Sequence, residues 1–219
     1  MSYQSFQADS HGPWVTLLDE VEDYCFGGQF RIVRAALRYR RFDGNMSAVV
    51  QRINFERGDS VGVLLYDPQA EAVILVRQFR YPVYARLDPE ARAGDGAQRA
   101  WLLEIVAGVQ DRGQTVRNVA HRELLEEAGY EVRTSLQPMT TIYPSPGGTS
   151  ERIHLFLAEV DGKERAGEGG GLSAEGEDTQ VVVLPLAEAV EMVSRGQIQD
   201  AKTVIALQHL ALSRLGLLG

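Results

Sequence analysis

Sulfur is nearly absent from this chain as a cross-linking element. One cysteine, Cys25, among 219 residues closes no internal disulfide and has no neighbouring ligand set. That excludes a disulfide framework and a structural zinc site, and leaves Cys25 as inert core or strand filler. Long apolar runs are missing too: no uninterrupted stretch approaches the ~18 residues of a membrane-spanning helix. The opening "MSYQSFQADSHGPW" has neither the basic nor the apolar region of a secretory signal, so a soluble cytoplasmic protein with no membrane partner is expected. Positive charge is in deficit, with 22 Lys and Arg against 30 Asp and Glu and a net charge of −8. A broad nucleic-acid surface needs a basic stripe, so no nucleic-acid partner is expected; a small anionic substrate is still served by local arginines and divalent metals. Internal repeats are absent, and "GEGGG" is the only low-complexity stretch. What remains is an ordinary globular composition, 44% hydrophobic and 24% charged, enough for one sizeable core with a small appendage.

From Trp14 to about Arg57 the apolar spacing is short and alternating, as in "FRIVRAALRYRRF" and "SAVVQRINFERG", which predicts a small antiparallel sheet of two or three strands. Such a sheet is marginal alone and has to pack on the rest of the chain or on a partner subunit. "SVGVLLYD" and "AVILVRQFR" form a hairpin across "PQAEA". Residues 85–99 mix Gly, Pro and charge without period and predict an exposed, mobile loop. "WLLEIVAGV" predicts one buried strand ending at Gly108. After it come a helix over about 116–128, a strand near 137–143, the turn "PSPGG", the strand "ERIHLFLAEV", a Gly-rich acidic loop over 161–178, the strand "TQVVVLPL", and helices over 186–196 and 200–215. Mixed strands with helices on the faces predict an α+β fold, an α/β/α sandwich.

The segment "NVAHRELLEEAGY" carries the chemistry. Thr115 caps it, Val116, Val119 and Ala120 give it an apolar side, and Gly129 stops it. Glu123, Glu126 and Glu127 then share one sector of roughly 100°. Arg122 offsets their repulsion by only a few tenths of a kcal/mol (~0.2–0.5 per pair). A hard cation would relieve the rest; taken alone, the segment reads first as a solvated acidic face, and its surroundings decide. None of the 4 histidines gains a role: His121 lies about 160° from Glu123 on the helical wheel, and His154 sits on an alternating strand.

Read from Gly108, the chain gives G-VQDRG-Q-TVRNVAH-RE-L-L-EE-A-G-Y. This resembles the signature of the Nudix hydrolase family, a Gly, five residues, a Glu, seven residues, then Arg-Glu, an aliphatic, any residue, Glu-Glu, any residue, Gly and an aliphatic. Gln114 stands where the family has its first Glu, and Tyr130 replaces the final aliphatic. In the family the first Glu supports the loop and helix through hydrogen bonds, which Gln also makes. "MSAVVQRINFERG", "VRQFR", "WLLEIVAG", "SPGGTSERI" and "DAKTVIALQHL" extend the resemblance, over roughly residues 30–215, to the ADP-ribose pyrophosphatase and GDP-mannose pyrophosphatase branch.

That resemblance implies two regions: an N-terminal antiparallel sheet over 1–57, exchanged between subunits of a homodimer, and a Nudix catalytic domain over 58–219. It implies two or three Mg²⁺ ions, with Mn²⁺ an alternative, held by the carbonyl of Ala107 with Glu123, Glu127 and Glu177, and assisted by Glu126. Glu175, in the loop "GGGLSAEGED", matches the general base, and glycines let such a loop swing. Arg52 and Arg80 match positions that hold substrate phosphates, Lys202 in "DAKTV" matches a phosphate contact of the GDP-mannose branch, and Glu151 beside the turn "SPGGTSER" contacts substrate or a metal-bound water. The activity implied is Mg²⁺-dependent hydrolysis of ADP-ribose to AMP and ribose 5-phosphate. A pyrophosphatase of GDP-mannose or another nucleoside diphosphate sugar is the alternative, and a sensor that binds a nucleotide sugar without turnover, its lost hydrolysis marked by Gln114, is a rival of another class.

Overall fold

A computed structural model describes residues 12–27, 30–111, 113–132, 135–172, 174 and 176–218. The chain divides into two compact units, one of Met1–Arg57 with Ser145–Ser150 and one of Gly58–Pro144 with Glu151–Gly219.

The first unit is built on a three-stranded antiparallel sheet of β1 (Val15–Phe26), β2 (Phe30–Tyr39) and β3 (Val50–Glu56), in that spatial order. β1 is irregular between Leu17 and Asp19 and between Glu22 and Tyr24. Arg34 on β2 forks onto Asp23 across the strand pair at 2.9 and 3.0 Å. The segment 145–150 joins β3 through the Phe55 N–H, which donates to the Gly148 carbonyl, and through Thr149 Oγ1, which donates to the Phe55 carbonyl. Among the unit's described residues only Ser47 is buried. Leu17, Leu18, Val21, Tyr24, Phe26 and Ile53 are exposed. Cys25 is exposed on β1, so it is strand filler and not core.

In the second unit β4 (Ser60–Asp67) is buried along its whole length and β5 (Ala72–Phe79) along its first five residues, as their unbroken Val, Leu and Ile runs require. Then come α1 (Tyr81–Arg86), α2 (Pro89–Ala93) and a 3₁₀ turn (Asp95–Ala100). The structureless loop expected over 85–99 is therefore short helices. The Asp88 carboxylate accepts from the Ala91 N–H at 2.7 Å with Pro89 in the first turn, a local start signal that a search for periodicity passes over. The single strand expected from "WLLEIVAGV" is two: β6 (Trp101–Glu104) pairs with β5 and β7 (Val106–Val109) with β4. At the break, the Ile105 N–H donates to Thr203 Oγ1 at 2.8 Å instead of to a strand.

Next follow α3 (Val116–Ala128), β8 (Gln137–Ile142), β9 (Ile153–Glu159), β10 (Thr179–Pro185), α4 (Leu186–Ser194) and α5 (Ala201–Arg214). The main path of the sheet is β10-β5-β4-β9-β8; β4 and β9 run parallel and the other pairs antiparallel. Alternate residues of β4 and β5 feed two cores. Val61, Val63, Leu65, Ile74 and Val76 pack with Val119, Ala120, Leu124 and Ala128 of α3. Leu64, Tyr66, Val73 and Leu75 pack with Ala189 of α4 and Ala206, Leu207 and Leu210 of α5. This is the α/β/α sandwich expected, with α3 packed on one face and α4 and α5 on the other. Among the described residues no helix is long and apolar enough to cross a membrane.

Candidate active site

Thr115 accepts from the Asn118 N–H at the start of α3, and Gly129, at φ 73°, ends it. Between these caps the helix lays Glu123 and Glu127 against β7, both buried, while Glu126 remains partly exposed. The fit to β7 is close. A Cβ on Gly108 would lie 2.0 Å from Glu123 Oε1, so only glycine admits that carboxylate over the strand. One residue earlier, the Ala107 N–H donates to Glu127 Oε2 at 3.2 Å. Arg122 braces the outer side, 2.9 Å from Glu123 and 3.2 Å from Glu126. His121 is exposed.

Burial pushes the Glu127 carboxyl up to about 8; the Ala107 N–H and Arg80 oppose this, and the charges of Glu123 and Glu177 add to it. Two further carboxylates thus bear on one that water no longer screens. Among the described residues no three His, Cys, Asp or Glu groups converge into a ready-made cage. The donor chemistry nevertheless fits a hard divalent cation: carboxylate oxygens clustered on a helix, one of them destabilised as an anion by its burial, which a cation would relieve.

Glu177 belongs to the glycine-rich loop, where its Oε2 accepts from the Leu172 N–H at 3.1 Å. The base of that loop is fastened to the end of α3. The N–H groups of Ala166 and Gly167 donate to the Gly129 carbonyl, Gly170 to Glu127 and Gly171 to Glu126. Packing here excludes side chains: a Cβ on Gly129 would meet the Gly167 carbonyl at 2.2 Å, and one on Gly169 the Glu127 carbonyl at 2.5 Å. Glu175 lies outside the described residues.

Arg80 and Lys202, singled out separately in the sequence, are brought together by a residue that sequence reasoning passed over. Glu104, at the end of β6 and buried, receives Nε and Nη2 of Arg80 at 2.7 and 2.8 Å and also the Lys202 ammonium. Lys202 lies 3.0 Å from Asp200 as well. Burial pushes the Glu104 carboxyl up, but the Arg80 hydrogen bond and the charges of Lys202 and Arg80 prevail and hold it below the usual range. The available signal was a lone charge inside the apolar run "WLLEIVAG", which cannot be buried without a partner. Glu151, buried on the approach to β9, accepts from the Ser60 hydroxyl. Arg52 stands on β3 in the other unit, exposed, its guanidinium donating to the Gln51 carbonyl at 2.9 Å.

Gln114 sits in the turn before α3, its N–H donating to the Asp111 carbonyl at 3.1 Å and its carbonyl accepting from the Gln110 side chain at 2.6 Å. Tyr130 packs in the α3 core and its hydroxyl donates to the Gly162 carbonyl at 3.0 Å, so the large side chain in place of an aliphatic one is both buried and satisfied.

A mixed sheet sandwiched by helices, with one helix presenting carboxylates to a glycine-marked strand, defines a class of hydrolase fold, and comparison with known proteins identifies it. Residues 56–207 match the NUDIX domain. The chain belongs to the Nudix hydrolase family. It is similar to the ADP-ribose pyrophosphatase of Escherichia coli strain K12, 39% identical over 187 residues that cover 85% of this chain and 84% of that protein. It is also similar to the GDP-mannose pyrophosphatase of Cronobacter sakazakii, 40% identical over 158 residues, 72% of this chain and 76% of that protein. Among solved structures, an ADP compounds hydrolase shares the fold with a TM-score of 0.63 at 19% identity, covering 96% of this chain and all of the other.

Proposed function

We propose that this chain hydrolyses the pyrophosphate bond of ADP-ribose, giving AMP and ribose 5-phosphate, with two or three Mg²⁺ ions that Mn²⁺ can replace. The observation that carries the reading is the buried pair Glu123 and Glu127, pressed against Gly108 and Ala107 with Arg80 close enough to act on Glu127. Glu123, Glu127, Glu177 and the Ala107 carbonyl would hold the metal, and Glu126 would assist. Bound Mg²⁺ supplies charge neutralisation at the phosphate oxygens and a water of lowered pKa. The chain's own residues do the remainder. Arg80 and Arg52 hold the diphosphate in line, Glu151 contacts the substrate or an ordered water, and Glu175 takes the proton of the attacking water. Water adds to one phosphorus, the bridging oxygen leaves with the other, and no redox partner is needed. The N-terminal sheet, with its exposed apolar side chains, is the surface through which two chains form a homodimer, in the cytoplasm.

A second reading, hydrolysis of GDP-mannose or another nucleoside diphosphate sugar, is favoured by Lys202, by the segment "DAKTV" that contains it, and by the similarity to the Cronobacter enzyme. Turnover of ADP-ribose, GDP-mannose, UDP-glucose and ADP-glucose, each with Mg²⁺ and with EDTA, tests both. EDTA-sensitive release of AMP from ADP-ribose at the highest kcat/KM is the expected result. A preference for GDP-mannose transfers the assignment to the second reading. Binding without turnover on every compound makes the chain a sensor and refutes hydrolysis.

A further inference from the structure

Glu104 has a place in the site that the metal and phosphate chemistry does not use. Its side chain is 2% exposed, whereas that of Arg80 is 38% exposed, so their ion pair has a fixed buried end and an open end. Arg80 spends Nε and one Nη2 hydrogen on the two oxygens of Glu104, in a side-on fork. A guanidinium has five N–H donors. Of the remaining three, the outer one on Nη2 and one on Nη1 share the edge next to that fork, and the second on Nη1 points back along the side chain. From α5, Lys202 donates to the same carboxylate across 98 positions of sequence. Thr203 Oγ1 accepts from the Ile105 N–H, next in the chain after Glu104, and donates to Asp200 at 2.6 Å. Two cations and two carboxylates thereby balance, and the backbone on which Glu104 sits is tied to the same helix start.

We propose that Glu104 is a positioning residue for the hydrolysis: it holds the Arg80 guanidinium side-on, so that the edge formed by Nη1 and the outer Nη2 hydrogen meets the diphosphate already oriented, while Lys202, itself paired with Asp200, braces the carboxylate from α5. The proposal rests on Arg80 binding the diphosphate, as in the function proposed above. Its physical basis is that an unpaired arginine must give up rotamer freedom when the anion arrives, whereas one locked by a buried carboxylate has done so on folding. The strand break at Ile105 is part of the device, because it frees the N–H that α5 uses to fix the segment.

The test is a double-mutant cycle with Arg80→Ala, Glu104→Gln and the pair, measuring KM and kcat for ADP-ribose and GDP-mannose with Mg²⁺, and Kd for both by calorimetry. Glu104→Gln is expected to raise KM and Kd by about 10- to 100-fold with a smaller change in kcat, and the double variant to bind no worse than Arg80→Ala alone. Glu104→Asp keeps the charge but withdraws the carboxylate by one methylene; it is expected to recover Tm while recovering KM only in part, which loss of folding does not imitate. It also serves if the Gln variant does not fold. Wild-type KM in a folded Glu104 variant, or losses that multiply in the double variant, overturn the proposal while leaving Arg80 in its role. Wild-type KM and Kd in Arg80→Ala remove the phosphate role of Arg80 itself, and the proposal falls with it.

Discussion

Replacing Glu127 with Gln separates the stability of the site from its activity. The carboxyl is buried and pushed from the usual 4.5 up to about 8. A folded-state pKa raised above the unfolded one gives stability that is fully present below pH 4.5 and is lost as pH rises through about 8. At ~1.4 kcal/mol per unit the interval is worth about 5 kcal/mol, and side-chain relaxation with water entry brings the measurable share to ~2–3 kcal/mol. For a chain of this size that is about 5–10 °C in Tm. Gln keeps an oxygen to accept from the Ala107 N–H and never ionises. Metal-free Glu127→Gln protein is therefore expected to unfold at nearly the same temperature at pH 6 and pH 9, whereas metal-free wild type loses stability across that range. Saturating Mg²⁺ restores the wild type by mass action and does little for the variant. Thermal unfolding in EDTA and in Mg²⁺, followed by circular dichroism and paired with turnover, reads all of this. The same loss of Tm with pH in both metal-free proteins, or normal turnover by the variant, would refute the reasoning.

Three further outcomes are expected. Gly108→Ala places a Cβ 2.0 Å from Glu123 Oε1, and because the colliding group is the end of a flexible side chain, the carboxylate moves aside. Turnover and Mg²⁺ affinity should fall by roughly 100-fold or more while urea unfolding changes by less than about 1.5 kcal/mol, and retained Mg²⁺ affinity would show that Glu123 is not a ligand. Glu175→Gln should lower kcat by about 10²–10⁴ with substrate Kd unchanged, and an unchanged kcat moves the general base elsewhere. Gly169→Ala meets backbone, the Glu127 carbonyl at 2.5 Å, at a residue with φ 71°. It should cost about 1–3 kcal/mol in urea unfolding and reduce kcat together with Mg²⁺ affinity, and wild-type values for both would refute the packing of the loop base.

The helix with its carboxylates was legible because its signals are local: a capping Thr115, a terminating Gly129 and an apolar stripe between them. β4, β5, β9 and β10 were legible for the same reason, as short β-branched runs between turn residues. What escaped depends on partners far along the chain. The break at Ile105 is made by Thr203, and the burial of Glu104 is made tolerable by Lys202, each 98 positions away. No window on "WLLEIVAGV" contains either. The helices between Tyr81 and Ala100 escaped because turns of five or six residues are too short to show a period, and their evidence is a single capping aspartate. Arg80 and Lys202 were singled out through resemblance; the ion-pair partner they share, Glu104, required the folded chain.

The hydrogen bonds from Ala166, Gly167, Gly170 and Gly171 to the carbonyls of Glu126, Glu127 and Gly129 make the base of the loop and the end of the carboxylate-bearing helix a single mechanical element. A swing of the whole loop would take these donors from Glu126 and Gly129, leave the Glu127 carbonyl with Thr179 Oγ1, and loosen the turn that carries Glu126 and Glu127. Ala166, Gly167, Gly170 and Gly171 are thus a fixed post that moves only with the end of the helix. The post itself loosens whenever the end of the helix does. Whatever steadies the end of the helix therefore also steadies this post, and by linkage whatever holds the post strengthens the helix end that carries Glu126 and Glu127 by the same factor.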